Sequence, residues 1–141
     1  MAHADVERYL KLVEHDLDTL ALLSAQARIT KRDVTDWKCT LLFYMACIFM
    51  KALGRLRGKE LQDHYQIKQW INTTPDLLSV AKSYRKLEER SRDARYEGRL
   101  FSTDELKQAV RWFVDIRDCV IGLLRAGGVV KIPTIDPAPH L

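Results

Sequence analysis

The sequence predicts an all-α fold, an antiparallel up-and-down bundle of four long helices plus one short helix. Three observations lead there. Apolar residues recur at steps of three and four along most of the 141 residues. Capping and stop signals cut that pattern into segments of helical length. No two alternating segments flank a hairpin turn, so no strand pair is convincing. Hydrophobic residues make up 47% and charged residues 30%, with only 6 Gly and 4 Pro, which excludes collagenous, low-complexity and largely disordered chains. The length suits one core, with residues 1–128 as a single bundle domain and 129–141 as a proline-rich tail.

In the first helix, Val6, Tyr9, Leu10, Val13, Leu17, Leu20, Leu23 and Ala27 line one face, and Glu7 and Lys11 are placed for an outward pair. The period fades between Ala25 and Asp36. Asp33 or Thr35 then caps a second helix running through Leu53 and stopped by Gly54. It is apolar nearly all round, so it is expected to be the most buried element. A basic connection with two glycines follows, and Asp63 caps a short helix, His64 to Ile71, with Gln66 at the capping-box position. Thr74-Pro75-Asp76 predicts the next helix start: a hydroxyl cap, a proline where a missing N–H costs nothing, and an acid at the positive end of the dipole. Leu77, Leu78, Ala81, Tyr84, Leu87, Ser91 and Ala94 keep its period until Gly98. Ser102 to Glu105 forms a second capping box, opening a helix from Thr103 to about Ala126 that Gly127-Gly128 ends. Pro133, Pro137 and Pro139 exclude a helix in the tail, which is expected as an extended strap or a mobile end.

Several function classes are disfavoured. The net charge of +4 permits an anionic partner without requiring one. Cys39, Cys47 and Cys119 read as reduced thiols in apolar helices, which disfavours a Cys–His nucleophile and predicts a cytoplasmic protein. No export signal is visible, and Cys39 to Leu53, with Lys51 near its end, is shorter than the ~20 residues a membrane span needs, so no membrane partner is expected. His3, His15, His64 and His140 are scattered, with no pair at i,i+3 or i,i+4 and no Glu-x-x-His, so no metal is expected. Nor is any cofactor, since no glycine-rich phosphate loop occurs.

The segment from Lys82 to Tyr96 carries the strongest binding signal. Tyr84, Glu88, Arg92 and Tyr96 fall on one stripe at i,i+4 steps, placing a guanidinium between aromatic rings, an arrangement suited to phosphate. Glu88 and Asp93 would equally allow a purely structural network. Lys51, Arg55, Arg57 and Lys59, together with Arg85, Arg90, Arg92, Arg95 and Arg99, form one positive surface if folding gathers them, although Glu60, Glu88, Glu89, Asp93 and Glu97 are interleaved. The candidate phosphate-binding residues are Arg55, Tyr84, Arg92, Arg95 and Tyr96. Trp37, Trp70 and Trp112 are read as bundle packing or as interface aromatics.

From Asp33 to Leu124 the order of features resembles the HEPN family of helical nucleotide-binding or ribonuclease-like domains, found in defence and toxin–antitoxin systems. The resemblance rests on an apolar helix ending in Lys51-Ala52-Leu53, a short helix opened by His64, Tyr84-x-x-Leu87, the phrase Arg92-Asp93-Ala94-Arg95-Tyr96, and a final helix introduced by Phe101 to Glu105. It implies a four- or five-helix bundle paired as a homodimer, with a polar cleft at the interface. Active members carry an Arg and a His with about four to six residues between them. Arg57 and His64 have that spacing here, but so do Arg8 and His15, and no His follows Arg92 or Arg95. The expected function is therefore a dimeric module that binds RNA, a nucleotide or a protein partner without a clear catalytic motif. One alternative is a metal-independent endoribonuclease with His64 as base and Arg57 as cation. The other is a purely protein–protein adaptor or immunity bundle.

Overall fold

The computed structural model describes residues 2–141 and is all-helical. Its α-helices are α1 (Ala2–Thr30), α2 (Thr35–Leu56), α3 (His64–Thr73), α4 (Ala81–Glu97) and α5 (Thr103–Ala126), with 3-10 turns at Pro75–Val80 and Ala138–His140. There is no strand among the described residues.

Helix α2 is the axis, packed against α1, α4 and α5. Phe43, Met45, Phe49, Met50 and Leu53 on it are completely enclosed. It is the one described helix long and apolar enough to cross a membrane, and 67% of that apolar window is buried by its neighbours. Its start is pinned by a relay: Asp33 accepts from the Thr35 backbone N–H at 2.9 Å and from its hydroxyl at 2.7 Å, and Thr35 Oγ1 accepts from Phe101 N at 2.8 Å. The helix continues past Gly54 to Leu56, contrary to the expected stop. Gly54 serves close packing instead, since a Cβ there would lie 2.9 Å from Leu61 Cδ1, and the chain turns at Gly58 with φ 73°.

Arg55 ion-pairs with Asp5, so the start of α1 lies beside the end of α2. Arg90 of α4 donates to the Glu105 carbonyl at 2.6 Å and stacks on Trp112, which ties the middle of α4 to the first half of α5. The second capping box forms as predicted: Ser102 Oγ accepts from Glu105 N, and Glu105 Oε1 accepts from Ser102 N.

The junction before α4 departs from the sequence reading. Thr74 caps nothing; its hydroxyl donates to the Trp70 carbonyl, because one residue separates α3 from the next turn and the orphaned carbonyls of α3 take it first. Pro75–Val80 forms a 3-10 turn, and α4 starts only at Ala81. Glu7 and Lys11 form no ion pair; both line a cleft of about 370 Å³ under the tail with Glu14 and Lys131. The tail is a strap. Val129, Ile135 and Pro137 are buried, the Arg117 guanidinium donates to the Ile135 carbonyl at 2.8 Å, and the Ser24 hydroxyl donates to the His140 carbonyl. Despite its prolines it closes with a single 3-10 turn.

Candidate functional site

Helix α2 is enclosed on three sides, and its fourth side is a stripe. Trp37, Tyr44, Ile48 and Lys51 follow one another at helical spacing along it and are only partly covered. Leu12 and Asp16 of α1 and the start of α3 flank that stripe. Tyr44, Cys47, Ile48, Lys51, Leu12, Asp16, Gln62, Asp63 and His64 enclose a groove of about 470 Å³. Asp63 holds His64 in place by capping α3, accepting from Gln66 N at 2.8 Å, while Gln66 Oε1 accepts from Gln62 N at 2.7 Å.

Arg95 rises from α4 beside this groove. Its guanidinium carbon lies 5.9 Å from the Phe43 ring, 5.7 Å from Tyr44 and 5.2 Å from Tyr96, and its Nε donates to the Ser91 carbonyl at 3.3 Å. Arg95 also borders a second hollow of about 300 Å³, with Asp36, Trp37, Thr40, Ala94 and Gly98. It thus stands between two depressions and makes no ion pair among the described residues. Tyr96 and Trp37 are 71% and 57% exposed, leaving aromatic faces in solvent on either side of it.

His64 Nδ1 lies 3.5 Å from Cys47 Sγ, and its ring lies 5.1 Å from Phe43. Burial holds the His64 pKa below its ordinary value, with Arg95 and Lys51 adding to the effect and Glu88 and Asp63 opposing it, so the ring is neutral near pH 7. Burial pushes the Cys47 thiol up to about 12 and raises Tyr84 as well. It also raises Asp16, against the pull of His15. No three His, Cys, Asp or Glu side chains among the described residues converge as metal ligands would.

The predicted site residues are dispersed. Arg57 forms a bidentate pair with Asp76, at 2.9 and 2.6 Å, and the cations that bear on His64 are Arg95 and Lys51. Proximity in sequence failed because the chain leaves α2 through Gly58 before returning at α3. Arg55 is committed to Asp5 and Glu60. Arg99 is held by Asp93 and Glu105, so the basic residues do not form one continuous free surface. Tyr84, predicted as a stacking face, is 1% exposed and packs on Phe43 at 5.6 Å. The stripe it starts dips into the core at Glu88, which is buried against Lys68 at 3.1 Å and Arg92 at 3.7 Å. Arg92 is exposed but leans on that carboxylate, and the guanidinium that lies among aromatic rings beside the groove is Arg95.

Sequence reasoning did not single out Asp16, Tyr44 or Cys47 for this site. A signal existed, since Tyr44 and Lys51 put polar tips on one edge of an otherwise apolar helix. No family model, curated protein or solved structure matches this chain.

Proposed function

We propose that this chain is a HEPN-like antiparallel helical bundle that works in the cytoplasm as a homodimer and binds RNA or a nucleotide through Arg95 without cleaving it. The observation that carries this reading is the state of Arg95. Arg55, Arg57 and Arg99 are neutralised by carboxylates, whereas Arg95 lies over Phe43, Tyr44 and Tyr96 and makes no ion pair among the described residues. A stacked, uncompensated guanidinium next to exposed aromatic rings offers both a fork for phosphate and faces for bases. A second copy laid across Trp37, Leu12 and Tyr96 would cover exposed apolar side chains and place two Arg95 residues along one cleft. Three free cysteines accord with a reducing compartment.

Binding of a labelled single-stranded RNA, followed by fluorescence anisotropy over a salt series, tests this. Arg95→Ala weakens binding about tenfold, in line with a stacking and phosphate contact. Arg57→Ala, which breaks an exposed structural pair, leaves it within about twofold. Equal affinity of wild type and Arg95→Ala refutes the assignment, and a strictly monomeric mass by sedimentation equilibrium refutes the dimer.

The endoribonuclease reading has one observation in its favour: the Arg95 charge bears on a neutral, half-buried imidazole. RNA cleavage that disappears in His64→Ala would establish it, with Arg95 in the place of Arg57.

A further inference from the structure

Cys47 joins two groups that belong to different depths of the molecule. Its Sγ lies 3.4 Å from the Tyr84 hydroxyl and 3.5 Å from His64 Nδ1, so side chains from α4, α2 and α3 form a line from the core to the groove. Tyr84 is enclosed, and its hydroxyl has no other hydrogen-bond partner among the described residues. That fixes the order of the protons. If the thiol donated to the phenol oxygen, the phenol proton would be a buried donor without an acceptor, an expensive arrangement. Tyr84 O–H therefore donates to Sγ. Cys47 keeps its own proton at neutral pH, because burial pushes its pKa up to about 12. With Sγ accepting from Tyr84, the acceptor left for S–H is His64 Nδ1. Nδ1 accepts only when it carries no proton, so the ring proton resides on Nε2.

We infer that Cys47 and Tyr84 are positioning residues that lock His64 in the neutral Nε2–H tautomer, so that His64 offers the groove a hydrogen-bond donor rather than a base. The titratable and charged groups facing this ring and its groove are Asp16 on α1, Cys47 and Lys51 on α2, Asp63 at the start of α3, and Tyr84, Glu88 and Arg95 on α4. Lys51 and Arg95 disfavour a second proton on the ring, and Glu88 and Asp63 oppose them. A donor edge beside two cations fits an acceptor oxygen of an anion, such as a phosphate ester. This identification of the ligand rests on the RNA-binding reading, whereas the tautomer does not depend on it. The inference also argues against His64 as the base of a ribonuclease.

The test uses the full chain without ligand, labelled with ¹⁵N-histidine, and two-bond ¹H–¹⁵N spectra, with the His64 signals assigned by their loss in His64→Gln. At neutral pH the expected spectrum has an unprotonated Nδ1 and a protonated Nε2. In Cys47→Ala the lock is removed, the tautomers mix and the ring titrates at higher pH. Cys47→Ser, whose hydroxyl also donates, restores the wild-type pattern. A protonated Nδ1 in the wild type overturns the inference, as does an unchanged spectrum in a folded Cys47→Ala. If Cys47→Ala fails to fold, the wild-type tautomer alone decides. RNA affinity is read separately, so its absence would sink the binding reading and leave the tautomer standing or falling by its own spectrum.

Discussion

Lys68→Met should destabilise the protein by leaving a buried carboxylate without its nearest counter-charge. Glu88 is 4% exposed on α4, and Lys68 Nζ of α3 lies 3.1 Å from its Oε1, with Arg92 at 3.7 Å from the same oxygen. Removing one partner of a fully buried pair costs about 3–5 kcal/mol. Here the lysine side chain is 37% exposed and Arg92 stays in place, so water and the second cation recover part of that loss. The expected cost is about 2 kcal/mol. With a urea m-value of about 2 kcal/mol/M, the unfolding midpoint falls by about 1 M, measured by circular dichroism at 222 nm. Replacing the acid as well, in Lys68→Met/Glu88→Gln, removes the buried charge and should restore more than about 1 kcal/mol of the loss, a coupling that a double-mutant cycle reads directly. A Lys68→Met midpoint equal to wild type, or a double variant that loses the sum of the two single effects, would refute the idea that this pair anchors α3, and with it His64, to α4.

Three further outcomes are expected. Ser102→Ala removes the acceptor for Glu105 N and half of the capping box, costing about 1 kcal/mol and lowering the thermal midpoint by about 3 °C, while Ser102→Asp retains most of the stability. Ile135→Ala, at a position 2% exposed beneath the tail, costs about 2 kcal/mol by thermal or urea unfolding; a negligible effect would mean that the strap contributes nothing to the core. Acidification from about pH 7 to 5 should destabilise wild type more than His64→Gln, because the His64 pKa is lowered by folding from 6.5, so the unfolded chain takes up the proton first. Below about pH 4 both proteins lose stability further, since Asp5, Asp33, Asp76 and Glu105 have folded pKa values depressed by their partners and lose those bonds on protonation.

Much of the helical plan was legible because its signals are local. Ser102 and Glu105 are three residues apart, and their reciprocal capping needs nothing beyond the first turn of α5. Gly98 ends α4 in the left-handed conformation that a glycine adopts freely, with φ 61°. Asp63 and α3 follow the same logic. The failures lie where a local signal had a nearby competitor. The Thr74 hydroxyl had to choose between starting one helix and finishing another, and the orphaned carbonyl of Trp70 won. Gly54 looked like a stop because glycine weakens helices, but its missing Cβ makes room for Leu61.

The sequence by itself determined that the chain is helical, where most helices end, and that α2 carries the core, because periodicity and caps act over a few residues. Which cations would be taken up by a carboxylate depended on contacts across 19 residues for Arg57 and Asp76 and 50 for Arg55 and Asp5, distances over which spacing carries no information. The same holds for the meeting of Cys47, His64 and Tyr84, and for Arg95 coming to rest on Tyr44. Tertiary packing alone decided that Arg95 comes to rest on aromatic rings without an ion pair among the described residues, and which side of α2 stayed open to form the groove.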